Sequence, residues 1–300
     1  MKLYYSDHFV LPLPDGHRFP ASKYTLLRQR VANSELVSEN HLTVPEAASA
    51  EQLCLAHDRE YVRRVIQGEL SEKEIRRIGF PWSPELVERS RRSVGGTIAA
   101  CRAALEEGVS ANLAGGTHHA YADHGEGYCI FNDVSVAARV MQAEGRAQRI
   151  VILDCDVHQG NGTAAIFSED PSVYTFSIHA AKNFPFHKEP SDLDIALPDG
   201  ALDEEYLEVL HWGVWQSMLL AQADLAIYLA GADPLAGDRL GRLALSKEGL
   251  GRRDRLVFEL CKQAELPVAI TMSGGYAKNI KDTVDVHMQT LLLAEEILGN

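Results

Sequence analysis

The stretch IVILDCDVHQGNGT, residues 150–163, passes from four consecutive apolar residues into Asp154-Cys155-Asp156-Val157-His158 and then into glycines. A short apolar run bounded by turn residues fits a strand buried on both faces, and such strands belong to parallel sheets. Working outward, the same pattern recurs. Ala111–Ala114 runs into Gly115-Gly116-Thr117-His118-His119, Leu225–Ala230 into Gly231-Ala232-Asp233, and Val268–Met272 into Ser273-Gly274-Gly275-Tyr276, with a further apolar run at Val173–Ser177. Between them, three-to-four spacing predicts helices over Val134–Ala143, Glu204–Ala221, Lys247–Ala264 and Val286–Leu298, the third closed by Leu266-Pro267. The alternation predicts βαβ units on a mainly parallel sheet, an α/β fold. The first hundred residues read mainly as helices, at Tyr24–Ser34, Ala47–Ala56, Asp58–Ile66 and Ser83–Glu107. The proline-rich Phe184–Leu202 segment reads as a long surface loop, and no repeat or linker interrupts the chain, so residues 1–300 are expected to form one domain.

In a parallel α/β sheet the carboxyl ends of the strands share one edge, where ligands bind. Four segments carrying polar residues therefore converge. Asp156 and His158 stand two apart, so on extended backbone both side chains point the same way and can share one ion, with Asp233 completing the set. Two carboxylates and an imidazole suit a divalent metal and leave a position open for water and a substrate carbonyl. His118 and His119 follow two glycines, and an imidazole near neutral pKa can take a proton from a metal-activated water and return it to a leaving amine. Asp154 and Asn161 are available to orient them, and Tyr276 could donate to an oxyanion. Together these parts describe metal-assisted amide hydrolysis without a covalent intermediate.

Composition narrows the partners. Lys plus Arg number 29 against 42 Asp plus Glu, a formal net charge of −13, which repels phosphate backbones and anionic lipid, so nucleic acid and membrane are not expected partners. Five scattered cysteines without a C-x-x-C fit a reducing compartment, and the N-terminal stretch lacks the apolar region of a secretory signal. A cytoplasmic location is the expectation.

The motifs GGTHHA at 115–120, LDCDVHQGNGT at 153–163, AGADPLAGD at 230–238 and SGGY at 273–276 resemble the zinc-dependent histone deacetylase and acetoin-utilisation family. PLPDGHRFPASKY and the IGFPWS run at 78–83 look most like its class IV branch and bacterial relatives. The resemblance implies the arginase–deacetylase fold, three layers with a central parallel sheet of about eight strands. It implies Zn2+, with Fe2+ the other candidate, on Asp156, His158 and Asp233; His118 backed by Asp154; His119 as general base with Asn161 behind it; and Tyr276 as catalytic tyrosine. Gly127, Tyr128, Phe184 and Phe186 match positions walling an acyl-lysine tunnel. Asp154, Asp156, His158, Ser177 and Ile178 match a structural K+ or Na+ site. Where relatives carry a rim acid that grips peptide backbone, this sequence places Pro81, which cannot accept that bond; where polyamine-specific relatives carry a glutamate, it has Leu240.

The expected substrate is thus an acyl-lysine peptide or a small acylated amine, carrying an acetyl or longer group. A long-chain fatty-acyl deacylase, a ureohydrolase-like enzyme and a non-catalytic acyl-ligand sensor remain as alternatives. A ureohydrolase would want a final acid in its D-x-H-x-D run, where Gly160 stands. An aspartyl phosphatase using Asp154 and Asp156 would leave the histidine pair and Tyr276 without roles.

Overall fold

The computed structural model describes residues 1–9, 11–14, 16–34, 36 and 41–299. Asp15, within the PLPDGHRFPASKY stretch, lies outside them. Eight parallel strands form one sheet: β1 (Lys2–Tyr4), β2 (Leu42–Thr43), β3 (Val109–Asn112), β4 (Ile150–Asp154), β5 (Val173–Ala180), β6 (Leu193–Leu197), β7 (Leu225–Leu229) and β8 (Val268–Thr271), in the order β2-β1-β3-β8-β7-β4-β5-β6.

The continuous apolar runs exist because the central strands are covered on both faces. Val151 and Leu153 of β4 and Tyr228 of β7 join one hydrophobic cluster, whereas Ile150, Ile152 and Ile227 join the other. The first face carries α1 (Ser22–Ala32), α8 (Asp203–Ala221), α9 (Lys247–Gln263) and α10 (Ile280–Leu298); the second carries α5 (Pro84–Glu107) and α6 (Asp133–Ala143). Local chemistry sets the helix ends. Ser83 caps α5 by accepting from Leu86 N, with Pro84 at the first helical position, and Ser246 caps α9 by accepting from Gly249 N. Among the described residues no helix is long and apolar enough to cross a membrane.

Phe184–Leu202 is not loop throughout: β6 lies inside it as a five-residue edge strand whose half-exposed alternation is short and flanked by Pro190 and Pro198. Strands β1 and β2 fall in the mainly helical first hundred residues, outside the expected helices, and each is too short to show a period. The run placed at Ala111–Ala114 pairs as Val109–Asn112, because Ser110 and Asn112 are buried polar members of the strand. Helix α10 begins at Ile280 rather than Val286, capped by Asn279, and the predicted Ala47–Ala56 helix shrinks to α2 (Ala50–Leu53), closed in a capping box by Ser49 and Gln52. Helices α4 (Glu72–Ile78) and α7 (Asn161–Phe167) were not anticipated. The remaining short helix, α3 (Arg59–Gln67), lies within a residue of its expected span.

Candidate active site

Strands β3, β8, β7 and β4 are consecutive in the sheet, and Asn112, Thr271, Leu229 and Asp154 at their carboxyl ends are level in register. The four polar segments therefore leave the sheet side by side. Each is then held by buried groups. Asp133, at the N-terminus of α6, accepts from Gly116 N at 3.0 Å, Thr117 N at 2.7 Å and the Thr117 hydroxyl at 2.7 Å, which fixes the loop entering His118-His119. Arg253 of α9, fully buried, donates to Gly231 O at 2.5 Å and Cys155 O at 3.3 Å, tying the loops after β4 and β7 together while pairing with Asp254.

Asp156, His158 and Asp233 meet within this frame, one donor atom of each lying within 4.8 Å of the others and all three residues buried. Asp156 Oδ2 accepts from Ser273 Oγ at 2.8 Å and Gly274 N at 2.7 Å, while Asp233 Oδ1 accepts from Val157 N at 3.0 Å. Asp233 Oδ2 is different. It is sealed from solvent without a hydrogen bond, 3.3 Å from His158 Nδ1 but outside bonding alignment. A buried carboxylate oxygen left so is costly unless a cation satisfies it. Only glycine fits at position 274, because a Cβ there would sit 1.8 Å from that oxygen. Burial, and then the charge of Asp156, raise the Asp233 carboxyl to about 6, the response expected of two acids crowded around one site. The residues present fit a divalent metal.

The two adjacent histidines differ in what stands behind them. His118 Nδ1 lies 2.6 Å from Asp154 Oδ2. Burial alone would lower its proton affinity, but Asp154 and Asp156 outweigh that and lift it to about 9. His119 Nδ1 lies 2.7 Å from Asn161 Oδ1, and the Asn161 amide donates to the Tyr121 hydroxyl at 3.1 Å, which turns its oxygen toward the imidazole. His119 Nδ1 therefore carries the proton and Nε2 the lone pair. Burial, then the neighbouring His118 and His158, push His119 well below its ordinary value.

These groups open into a cavity of about 440 Å³ that Tyr276, Gly127, Tyr128, Phe184, Phe186 and Leu240 also line. Burial holds the Tyr276 phenol well above its usual range, so it stays a donor at neutral pH. Gly127 adopts φ +55°, and a Cβ there would lie 2.8 Å from both His119 and Phe184. Phe184 packs edge-on to His119 with centroids 4.9 Å apart, whereas Phe186 is 84% exposed and belongs to the mouth. Ser177 and Ile178 are buried on β5, with Ser177 opposite Asp154; the Ser177 hydroxyl is 3.0 Å from His179 Nδ1. Pro81 is exposed and is not part of the lining, whose only carboxylates among the described residues are Asp156 and Asp233.

Residues 17–291 match the family described as "Histone deacetylase domain". The chain belongs to the histone deacetylase family. Histone deacetylase 2 of Arabidopsis thaliana is 30% identical over 273 residues, covering 88% of this chain and 70% of that protein. An uncharacterized protein of Picosynechococcus sp. is 46% identical over 283 residues, covering 94% of each chain. Two solved structures share the fold: the HD domain of HDA15, with a TM-score of 0.83, 21% identity and coverage of 100% of this chain and 92% of that one, and a histone deacetylase homologue complexed with SAHA, with a TM-score of 0.82, 23% identity and coverage of 98% and 83%. The sheet is thus that of the arginase–deacetylase fold, and family membership makes the chain a deacetylase-type hydrolase.

Several residues around this cavity were not anticipated from the sequence. Lys23 is buried on α1, donates to Ser273 O at 2.9 Å and lines the cavity, although nothing in its helical context marks it. Asp238 accepts from Tyr276 N at 2.6 Å and from Leu240 N at 2.8 Å; its place closing AGADPLAGD was the available signal. Asp133 and Arg253 carry no local motif at all.

Proposed function

We propose that this deacetylase hydrolyses the amide of an acyl-lysine or similar acylated amine, acetyl or longer, with Zn2+ on Asp156, His158 and Asp233. The observation that carries the reading is the unpartnered Asp233 Oδ2 beside Asp156 and His158, in the same cavity as the histidine pair and Tyr276. A divalent metal bound there would supply Lewis-acid polarisation of the carbonyl and a more acidic water. The protein's own groups do the rest. His119 Nε2, unprotonated because its Nδ1–H faces Asn161, takes the proton of the attacking water and returns it to the departing amine. His118, kept charged by Asp154, holds positive charge beside the oxyanion without surrendering its proton. The Tyr276 hydroxyl donates to the oxygen that becomes negative as the carbonyl turns tetrahedral. The narrow wall of Gly127, Phe184 and Tyr128 admits an extended acyl-bearing chain, and a K+ or Na+ near Asp154 and Ser177 belongs to the same proposal.

One metal group among the described residues, with Gly160 where a second site would want an acid, favours this reading over a two-metal ureohydrolase. The test is amine release from acetyl-lysine, longer acyl-lysines and acetyl-polyamines by protein of measured metal content, wild type and Tyr276→Phe. Acyl-lysine turnover is expected, and Tyr276→Phe should lower kcat about 100- to 1000-fold with metal content unchanged. Equal turnover by the variant contradicts the oxyanion role; no amine release from any compound contradicts the proposal.

A further inference from the structure

The exposed part of the cavity lining is basic, in a chain whose formal net charge is −13. Arg76, Arg77, Lys182 and Arg242 all line it and all are exposed, while its carboxylates, Asp156 and Asp233, are buried among the candidate metal ligands. Four exposed cations and no exposed acid line this mouth, although acids outnumber bases over the chain.

The four are held there by the fold. Arg77 O and Ile78 O, at the end of α4, accept from Gly127 N at 3.2 Å and Tyr128 N at 2.7 Å, so the arginine-bearing turn is clamped to the tunnel wall. Buried Asn183 donates to Leu240 O at 2.6 Å and accepts from Arg242 N at 2.9 Å, which joins the Lys182 and Arg242 segments. The Arg77 and Lys182 side chains have no partner among the described residues. Arg76 pairs with Glu72 at 3.2 Å and Arg242 with Asp199 at 3.0 Å, both exposed pairs of the kind that water and salt compete with readily. All four charges thus remain available to an incoming anion.

We infer that this rim selects substrates carrying a carboxylate a lysine side chain's length from the scissile amide. The inference rests on the proposed acyl-amine hydrolysis and refines it. A carboxylate at the mouth would meet forked guanidinium donors of the rim while the acyl group lies against Gly127 and Phe184. The required chemistry is met by acyl-lysine with a free α-carboxylate or by acyl-lysine followed by acidic residues. A lysine-rich tail meets four like charges instead.

The experiment compares Nα-capped acetyl-lysine as the free acid and as the carboxamide, plus acetyl-lysine peptides flanked by Glu or by Lys, with the metal-loaded protein and an Arg77→Gln/Lys182→Gln/Arg242→Gln variant. Each pair is read by kcat/KM and by calorimetric binding. The free acid should exceed the carboxamide by about tenfold, mostly through KM, and the Glu-flanked peptide should exceed the Lys-flanked one. Both ratios should fall toward one in the variant and as NaCl is raised. The free-acid pair separates an α-carboxylate from a neighbouring acidic side chain as the recognised group. Ratios at or below one in the wild type, or ratios the variant leaves unchanged, overturn the inference. Turnover of both members at equal rates overturns only the carboxylate preference; turnover of neither overturns the hydrolase proposal, while binding still measures the preference.

Discussion

His118 and His119 are neighbours in sequence, with ring centroids 4.2 Å apart, yet a carboxylate stands behind one and an amide behind the other. That single difference assigns the lasting charge to His118 and the lone pair to His119. His57 shows the same logic away from the site. Its Nδ1–H donates to Tyr121 O at 2.9 Å and its Nε2 accepts from Asn132 N at 2.9 Å, so the neutral ring satisfies both and a second proton would face a donor. Burial pushes its pKa from 6.5 down to about 4. As pH falls the unfolded chain therefore takes up this proton first. The stability present above pH 6.5 should be lost progressively between 6.5 and about 4, by roughly 3 kcal/mol for this group. Urea unfolding across that range should show the wild type losing this much more than His57→Gln; parallel curves would contradict the account. At this scale the sequence showed His118, His119, Asp156, His158, Asp233 and Tyr276, because each follows an apolar run at a strand end. Lys23 and Asp133 were invisible, since their roles arise from contacts made 250 and 16 residues away in the chain.

Elements were legible where their burial was complete. Strands β4, β7 and β8 read directly because both faces are covered, and α5 and α9 because serine caps precede their apolar spacing. Strand β6, with its alternate residues facing outward and one edge unpaired, gave a weaker pattern that its prolines masked. Helix α4 did carry a signal, the Ser71–Glu74 capping box, and its last turn places Arg76 and Arg77 at the mouth. What joins elements is the buried ion pair of α9. Asp254, besides pairing with Arg253, accepts from the Tyr228 hydroxyl at 2.5 Å and Thr290 Oγ1 at 2.6 Å. Arg253→Met strands that carboxylate and frees Gly231 O and Cys155 O. It should cost about 3–5 kcal/mol in urea unfolding and weaken metal affinity, because the loops bearing Asp156 and Asp233 lose their tie. A stability within about 1 kcal/mol of wild type would contradict this role.

For the whole molecule, strand order explains why chemistry scattered from residue 116 to residue 276 collects in one cavity. The four strands that deliver it are adjacent at the centre of the sheet, and a parallel sheet points all their carboxyl ends the same way. The sequence foretold convergence from that rule but could not order the strands, since adjacency of β3 with β8 joins segments about 160 residues apart. The net charge of −13 belongs to the chain as a whole and does not describe the cavity mouth, which is locally basic. What matters to a substrate is the field within a few ångströms.

Stripping bound metal with a chelator and restoring Zn2+ stepwise, while following amine release from acetyl-lysine, tests the central claim most directly. Activity should vanish on stripping and return in proportion to metal, levelling at one ion per chain. Undiminished release from protein shown to hold no metal would contradict the account.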